Sequence, residues 1–116
     1  MPNFGAKTKL YPDQKTMVIF NDRGGEIAKH LALAGHRVVS QHSANDDVEI
    51  SIFKESNGLI VKSGPTVKDT AFFLQSFLGE DEFVDSMYLG KMNEEDYQTL
   101  VDQGTLSLAR VVTREP

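Results

Sequence analysis

Apolar residues in this chain come in short runs broken by turn chemistry, and the runs switch between two periods. Val18-Ile19-Phe20 is a brief β-favouring run. Asn21-Asp22-Arg23-Gly24-Gly25 interrupts it with turn-forming residues. Ile27, His30, Leu31 and Ala34 then recur at i, i+3, i+4 and i+7, which predicts one stripe of an amphipathic helix. Gly35 is placed to end that helix in a left-handed cap, with His36 and Arg37 beside its negative dipole end. Val38 and Val39 open the next strand, so Thr16 to Gln41 reads as strand, turn, helix, stop, strand.

The remaining pattern adds elements on both sides. A first strand is expected from Lys7 to Tyr11, with Tyr11-Pro12-Asp13-Gln14 as a type I turn into the Val18 strand. Val48, Ile50 and Ile52 alternate with polar residues, and Asn57-Gly58 separates them from Leu59-Ile60-Val61. An Asn-Gly pair between apolar runs predicts a hairpin, because both central residues must tolerate positive φ. Pro65 and Thr66 open a helix that ends at Leu78, with Asp69 at capping-box spacing from Thr66. Its inward stripe is Val67, Ala71, Leu74 and Leu78; Phe77 borders the stripe, while Phe73 and especially Phe72 point away from it.

Phe83 to Leu89 contains a strand around Met87–Leu89. Asn93 then caps a helix whose Glu94, Glu95 and Asp96 complement the dipole, with Met92 set to pack on Tyr97. Gly104 ends it, and Leu106, Leu108 and Val112 alternate as a final strand. The expectation is a single α+β domain over residues 1–116, a mixed sheet of six or seven strands with three helices.

Composition narrows the classes. The 116 residues suffice for a core without staples, and the absence of cysteine excludes disulfides, thiolate nucleophiles and cysteine-held metals. No apolar run approaches the ~20 residues of a membrane span, and MPNFGAKTK carries no apolar signal segment, so a cytoplasmic location is expected. The net charge of −5 is unevenly spread: residues 1–40 carry six Lys/Arg against three Asp/Glu, and residues 41–116 carry six against fourteen. Within 80–102, eight acids face only Lys91. Such a balance disfavours direct nucleic-acid binding.

Two strand-to-helix turns are the candidate ligand site: Asp22, Arg23, Gly24 and Gly25, and Ser63, Gly64 and Thr66. Helix N-termini offer free amides and partial positive charge, and glycine lets a ligand approach the backbone. If the Val18 and Ile60 strands run parallel, both turns open on one edge of the sheet. Neither the dinucleotide nor the P-loop glycine fingerprint is met, and the simpler account of Gly24-Gly25 is that they permit a tight turn.

His42, Asp46 and Asp47 suit a hard cation or a solvated loop, while His30 and His36 have no partners at ligand spacing. No nucleophile elbow is present. The order strand–Asp22–helix–Gly35-His36–strand–Asp46-Asp47 resembles, over under half of the chain, small PIN-like nucleases of toxin type. It departs from them at Lys62-Ser63-Gly64, where that family has an acid, and at Asn57-Gly58, where it has a helix. That family is not assigned.

Protein contact has its own candidates: Phe72 and Phe73, and the acids Glu80, Asp81, Glu82 and Asp85. These acids are also explained as a solvated loop. The leading expectation is a non-catalytic binding or regulatory domain that contacts another protein, one with a basic surface, with self-association through the Phe72 helix as a further case. The alternatives are a binder of a small anionic or nucleotide-like ligand at the two turns, and a metal-dependent phosphoesterase or nuclease using Asp22, Asp46 and Asp47. No catalytic set, resident metal or cofactor is assigned from the sequence.

Overall fold

A strand that leads directly into a helix must bury both, and this chain does so three times along one sheet. The computed structural model describes residues 16–41 and 59–115. Five strands, β1 (Thr16–Phe20), β2 (Arg37–Ser40), β3 (Leu59–Lys62), β4 (Val84–Leu89) and β5 (Ala109–Arg114), form one sheet in the order β3-β2-β1-β4-β5. All four pairings are parallel. The three helices are α1 (Glu26–Leu33), α2 (Val67–Phe77) and α3 (Glu94–Asp102).

The α+β composition and three helices match the expectation, while the sheet among the described residues has five strands, not six or seven, and no antiparallel pair. The two predicted hairpins, at residues 7–20 and 48–61, involve segments outside the described residues, as do His42, Asp46 and Asp47. Parallel strands buried on both faces read as continuous apolar runs. Val18-Ile19-Phe20 does so, sending Val18 and Phe20 to one face and Ile19 to the other.

The larger face holds Val18, Phe20, Val39, Val61, Met87 and Leu89 beneath Val67, Ala71, Leu74 and Phe77 of α2 and Leu100 of α3. The opposite face packs Ile19, Val38 and Ile60 on Ala28, Ala32 and Leu31 of α1. The α1 stripe is therefore one position from the one read in the sequence: Ile27 is 47% exposed, and His30 and Ala34 are exposed. Two alanines bring the helix close to the sheet. A 3₁₀ turn at Arg23–Gly25, with Gly24 and Gly25 both at positive φ (76° and 70°), rotates its entry.

Other ends follow the sequence. Gly35 stands at φ 94°, and α2 is capped by Thr66, whose Oγ1 accepts from the Asp69 amide at 3.0 Å. Asn93 Oδ1 accepts from the Asp96 amide at 2.7 Å. Arg37 is buried as the first residue of β2. The final strand begins later than the alternation suggested, because Thr105–Leu108 coils into a 3₁₀ turn after Gly104. No helix among the described residues is long and apolar enough to cross a membrane.

Candidate ligand crevice

Helix α1 leaves the end of β1 toward one face of the sheet, and α3 leaves the end of β4 toward the other. Adjacent strands whose helices diverge leave a gap between their loops, and open parallel sheets take ligands in that gap. Here the gap is a cleft of about 480 Å³ lined by Asn21, Arg23, Lys91, Met92, Asn93, Asp96 and Glu115. That falls within the ~300–1,000 Å³ of small-molecule pockets. A second recess of about 210 Å³ shares Asn21, Arg23 and Glu115 and extends over Ile27, Tyr88 and Thr113 on the α1 side.

The cleft walls are held by a polar belt across the C-terminal ends of the strands. Asn21 adopts a left-handed backbone (φ 61°), a conformation asparagine tolerates better than most residues. Its Nδ2 donates to the Lys91 carbonyl at 3.1 Å, tying the β1 loop to the β4 loop. Its own amide donates to Gln41 Oε1 at 2.7 Å, and Gln41 Nε2 donates to the Pro65 carbonyl at 2.8 Å. Four strand ends are thereby connected through two amide side chains. Gly90 lines the second recess, and a Cβ there would lie 2.8 Å from the Phe20 carbonyl oxygen and 2.9 Å from that of Asn21.

The two turns singled out in the sequence do open on one edge of the sheet, with β2 between their strands. Their polar groups are committed within the chain. Asp22 is only 2% exposed, and its carboxylate accepts from the Ile27 amide (3.2 Å), the Ala28 amide (3.0 Å) and Ser40 Oγ (3.1 Å). It occupies the amino end of α1 with a charge of the protein's own. Ser63 Oγ donates to the Ser40 carbonyl at 2.8 Å and lies 3.0 Å from Thr70 Oγ1. Gly64 offers its carbonyl to Thr70, and Thr66 caps α2 and donates to Asp69 Oδ2 at 2.7 Å.

Arg23, in contrast, is exposed and reaches the cleft, where Lys91 stands on the facing loop. Asp96 and Glu115 add opposite charge to the same lining. Of the turn Asn21–Gly25 singled out in the sequence, Asn21 and Arg23 line this cleft, Asp22 lines only the adjoining recess, and Gly24 and Gly25 line neither; Lys91, Asn93, Asp96 and Glu115 were not expected at the site. Lys91 did carry a signal, as the lone base in an acidic stretch. The juxtaposition itself requires β4 beside β1, which spacing along the chain does not state.

The candidate protein-contact residues divide. Phe72 is 73% exposed on α2, whereas Phe73 is half-buried and stacks on Phe77 with ring centroids 5.7 Å apart. Glu82 Oε1 accepts from the Gly79 amide at 2.8 Å and Asp85 Oδ2 from the Thr16 amide at 3.0 Å, while Glu80 and Asp81 are exposed. The acids of 80–85 and of 94–96 flank opposite ends of β4, roughly 17 Å apart at strand rise. They form two patches. Among the described residues, no three His, Asp or Glu side chains converge as a metal site would require. No protein-family model, curated protein or solved structure matches this chain.

Proposed function

We propose that this chain is a small-molecule-binding domain whose ligand sits in the crevice between the β1 and β4 loops and presents an anionic group to Arg23 and Lys91. One observation carries the reading: two exposed cations on loops of different strands converge on a cleft of ligand size at the point where the helices part. The asparagines at positions 21 and 93 and the acids at 96 and 115 supply hydrogen-bond partners for the rest of the ligand. Because Asp22 already occupies the amides of α1, the anionic group is read by side chains and not by that helix end.

The test is a titration of the ¹⁵N-labelled chain with AMP, pyrophosphate and L-glutamate, followed by amide shifts. Saturable shifts centred on Arg23, Lys91 and Asn93 are expected. The R23A/K91A double variant, altered only at exposed positions, should weaken binding about tenfold or more at an unchanged melting temperature. Absence of shifts there with all three probes, or binding that the double variant leaves intact, overturns the reading.

A second reading, contact with another protein, is favoured by a separate observation. Parallel sheets are ordinarily covered on both faces. Over the β4–β5 half, on the α1 side, Tyr88 and Val111 are exposed.

A further inference from the structure

Among the described residues, strand β5 is the outer strand of the sheet, and the side of it that faces away from β4 is readable from one hydrogen bond. The Glu115 amide donates to the Leu89 carbonyl at 3.0 Å, so Val111 and Thr113, of the same parity, turn their backbone groups toward β4, while the Ala109 amide is held by the Leu106 carbonyl. Arg110, Val112 and Arg114 therefore turn theirs outward. The ladder with β4 is regular from Val84↔Ala109 to Leu89↔Arg114, and the strand contains no proline, glycine or lysine that would blunt it. Exposed edges of this kind are templates for a further strand.

The side chains sort by face. Val112 and Arg114 pair with Met87 and Leu89 and so share the face of α3, where the Arg114 guanidinium sits 3.8 Å over the Tyr97 ring and bonds Glu94 at 2.6 Å. Arg110 belongs to the same face, is exposed, and has no ion pair among the described residues. On the other face, Val111 is 56% exposed beside Ser86, and Thr113 beside Tyr88.

We propose that β5 accepts an extended segment of a partner protein as a sixth strand, one that carries a carboxylate beside Arg110 and apolar side chains beside Val111. Main-chain bonds to residues 110, 112 and 114 supply the attachment, and the alternation of side chains supplies the selectivity. A second copy of this chain fits less well. In the two-fold antiparallel registers that pair most of β5, the residue opposite Arg110 is Val112 or Arg114 of the other copy, never a carboxylate.

The probe is a labelled peptide of about seven residues, alternating valine with polar residues and bearing one glutamate. Its counterpart has lysine at that place. Fluorescence anisotropy with the full chain should show saturable binding of the glutamate peptide, and the lysine peptide should bind about tenfold more weakly. Amide exchange should slow at residues 110, 112 and 114 and stay unchanged at 109, 111 and 113. Val112→Pro removes an outward N–H at an edge position, where proline is tolerated. It should abolish binding while circular dichroism is preserved, and Arg110→Glu should reverse the peptide preference.

No binding of the glutamate peptide, or equal binding of both peptides, overturns the proposal. So does protection of the three outward amides in the free chain that rises with protein concentration, which would assign the edge to a second copy. The R23A/K91A crevice variant should bind the peptide normally, so the two readings fail independently.

Discussion

Replacing Asp22 by alanine removes three hydrogen bonds accepted by one buried carboxylate: those from the Ile27 and Ala28 amides and from Ser40 Oγ. A bond to a charged group contributes roughly 1.5–3 kcal/mol net, and a buried donor left without a partner costs about 1–3 kcal/mol. The contributions do not simply add, because the carboxylate is itself costly to bury and water can enter the vacated space. Loss of an ordinary helix cap costs about 1 kcal/mol. Asp22 also anchors β2 through Ser40, so about 3 kcal/mol is expected for Asp22→Ala. In a chain of this size that corresponds to a fall in melting temperature of roughly 10–15 °C. Asp22→Asn keeps one acceptor oxygen and the shape, and should cost about half as much. Urea midpoints read by circular dichroism measure both.

A second readout follows from the vacated space. Phosphate should raise the melting temperature of Asp22→Ala by more than that of the parent chain, because the variant adds the exposed amides of α1 to any anion site the parent already has. A cost of less than about 0.5 kcal/mol for Asp22→Ala, the range of an ordinary surface change, would refute this role of the carboxylate. It is equally refuted if phosphate stabilises both chains alike.

Two further outcomes test the packing. Gly90→Ala should destabilise by about 1–3 kcal/mol in a denaturation curve, since its Cβ would meet two backbone oxygens that cannot swing aside. An unchanged midpoint would show that β1 and β4 do not approach so closely. Phe77→Ala should cost about 3–5 kcal/mol as a buried truncation. Phe72→Ser, on the exposed side of the same helix, should fall within about 0.5 kcal/mol of zero by the same measurement. Comparable losses at the two positions would mean that α2 faces the other way.

Much of the local order was legible because it is written in neighbouring residues. Thr66 with Asp69, and Asn93 with Asp96, are capping pairs three residues apart, and both bonds are present. The β1–α1–β2 succession was likewise readable from Val18-Ile19-Phe20, Gly35 and Val38-Val39. The buried face of α1 was not. Periodicity favoured Ile27, His30, Leu31 and Ala34, but the residues fully buried against the sheet are Ala28 and Ala32, with Leu31 packed beside them, a preference set by how closely the two elements approach. Strand order was also beyond local reading. Parallel pairing joins residues distant in the chain, as Met17 with Ser86, and the crevice exists only because those strands are neighbours.

The charge asymmetry of the sequence takes on a different meaning once β4 is in place. Eight acids between residues 80 and 102 read as one negative surface, yet the strand between them carries Glu80–Asp85 and Glu94–Asp96 to opposite ends of the sheet. At one end Asp85 holds the start of β1 through the Thr16 amide, and Glu82 closes the turn that follows α2. At the other, Glu94 pairs with Arg114, and Asp96 lies beneath the cap of Asn93 at the rim of the crevice. Lys91 and Arg23 line that crevice together with Asp96 and Glu115. An anion entering the crevice therefore meets carboxylates as well as cations in its lining. On the proposed function, a ligand that brings a hydrogen-bond donor for those carboxylates together with its negative charge is expected to bind more tightly than a simple inorganic anion, which can engage only the cations of the lining.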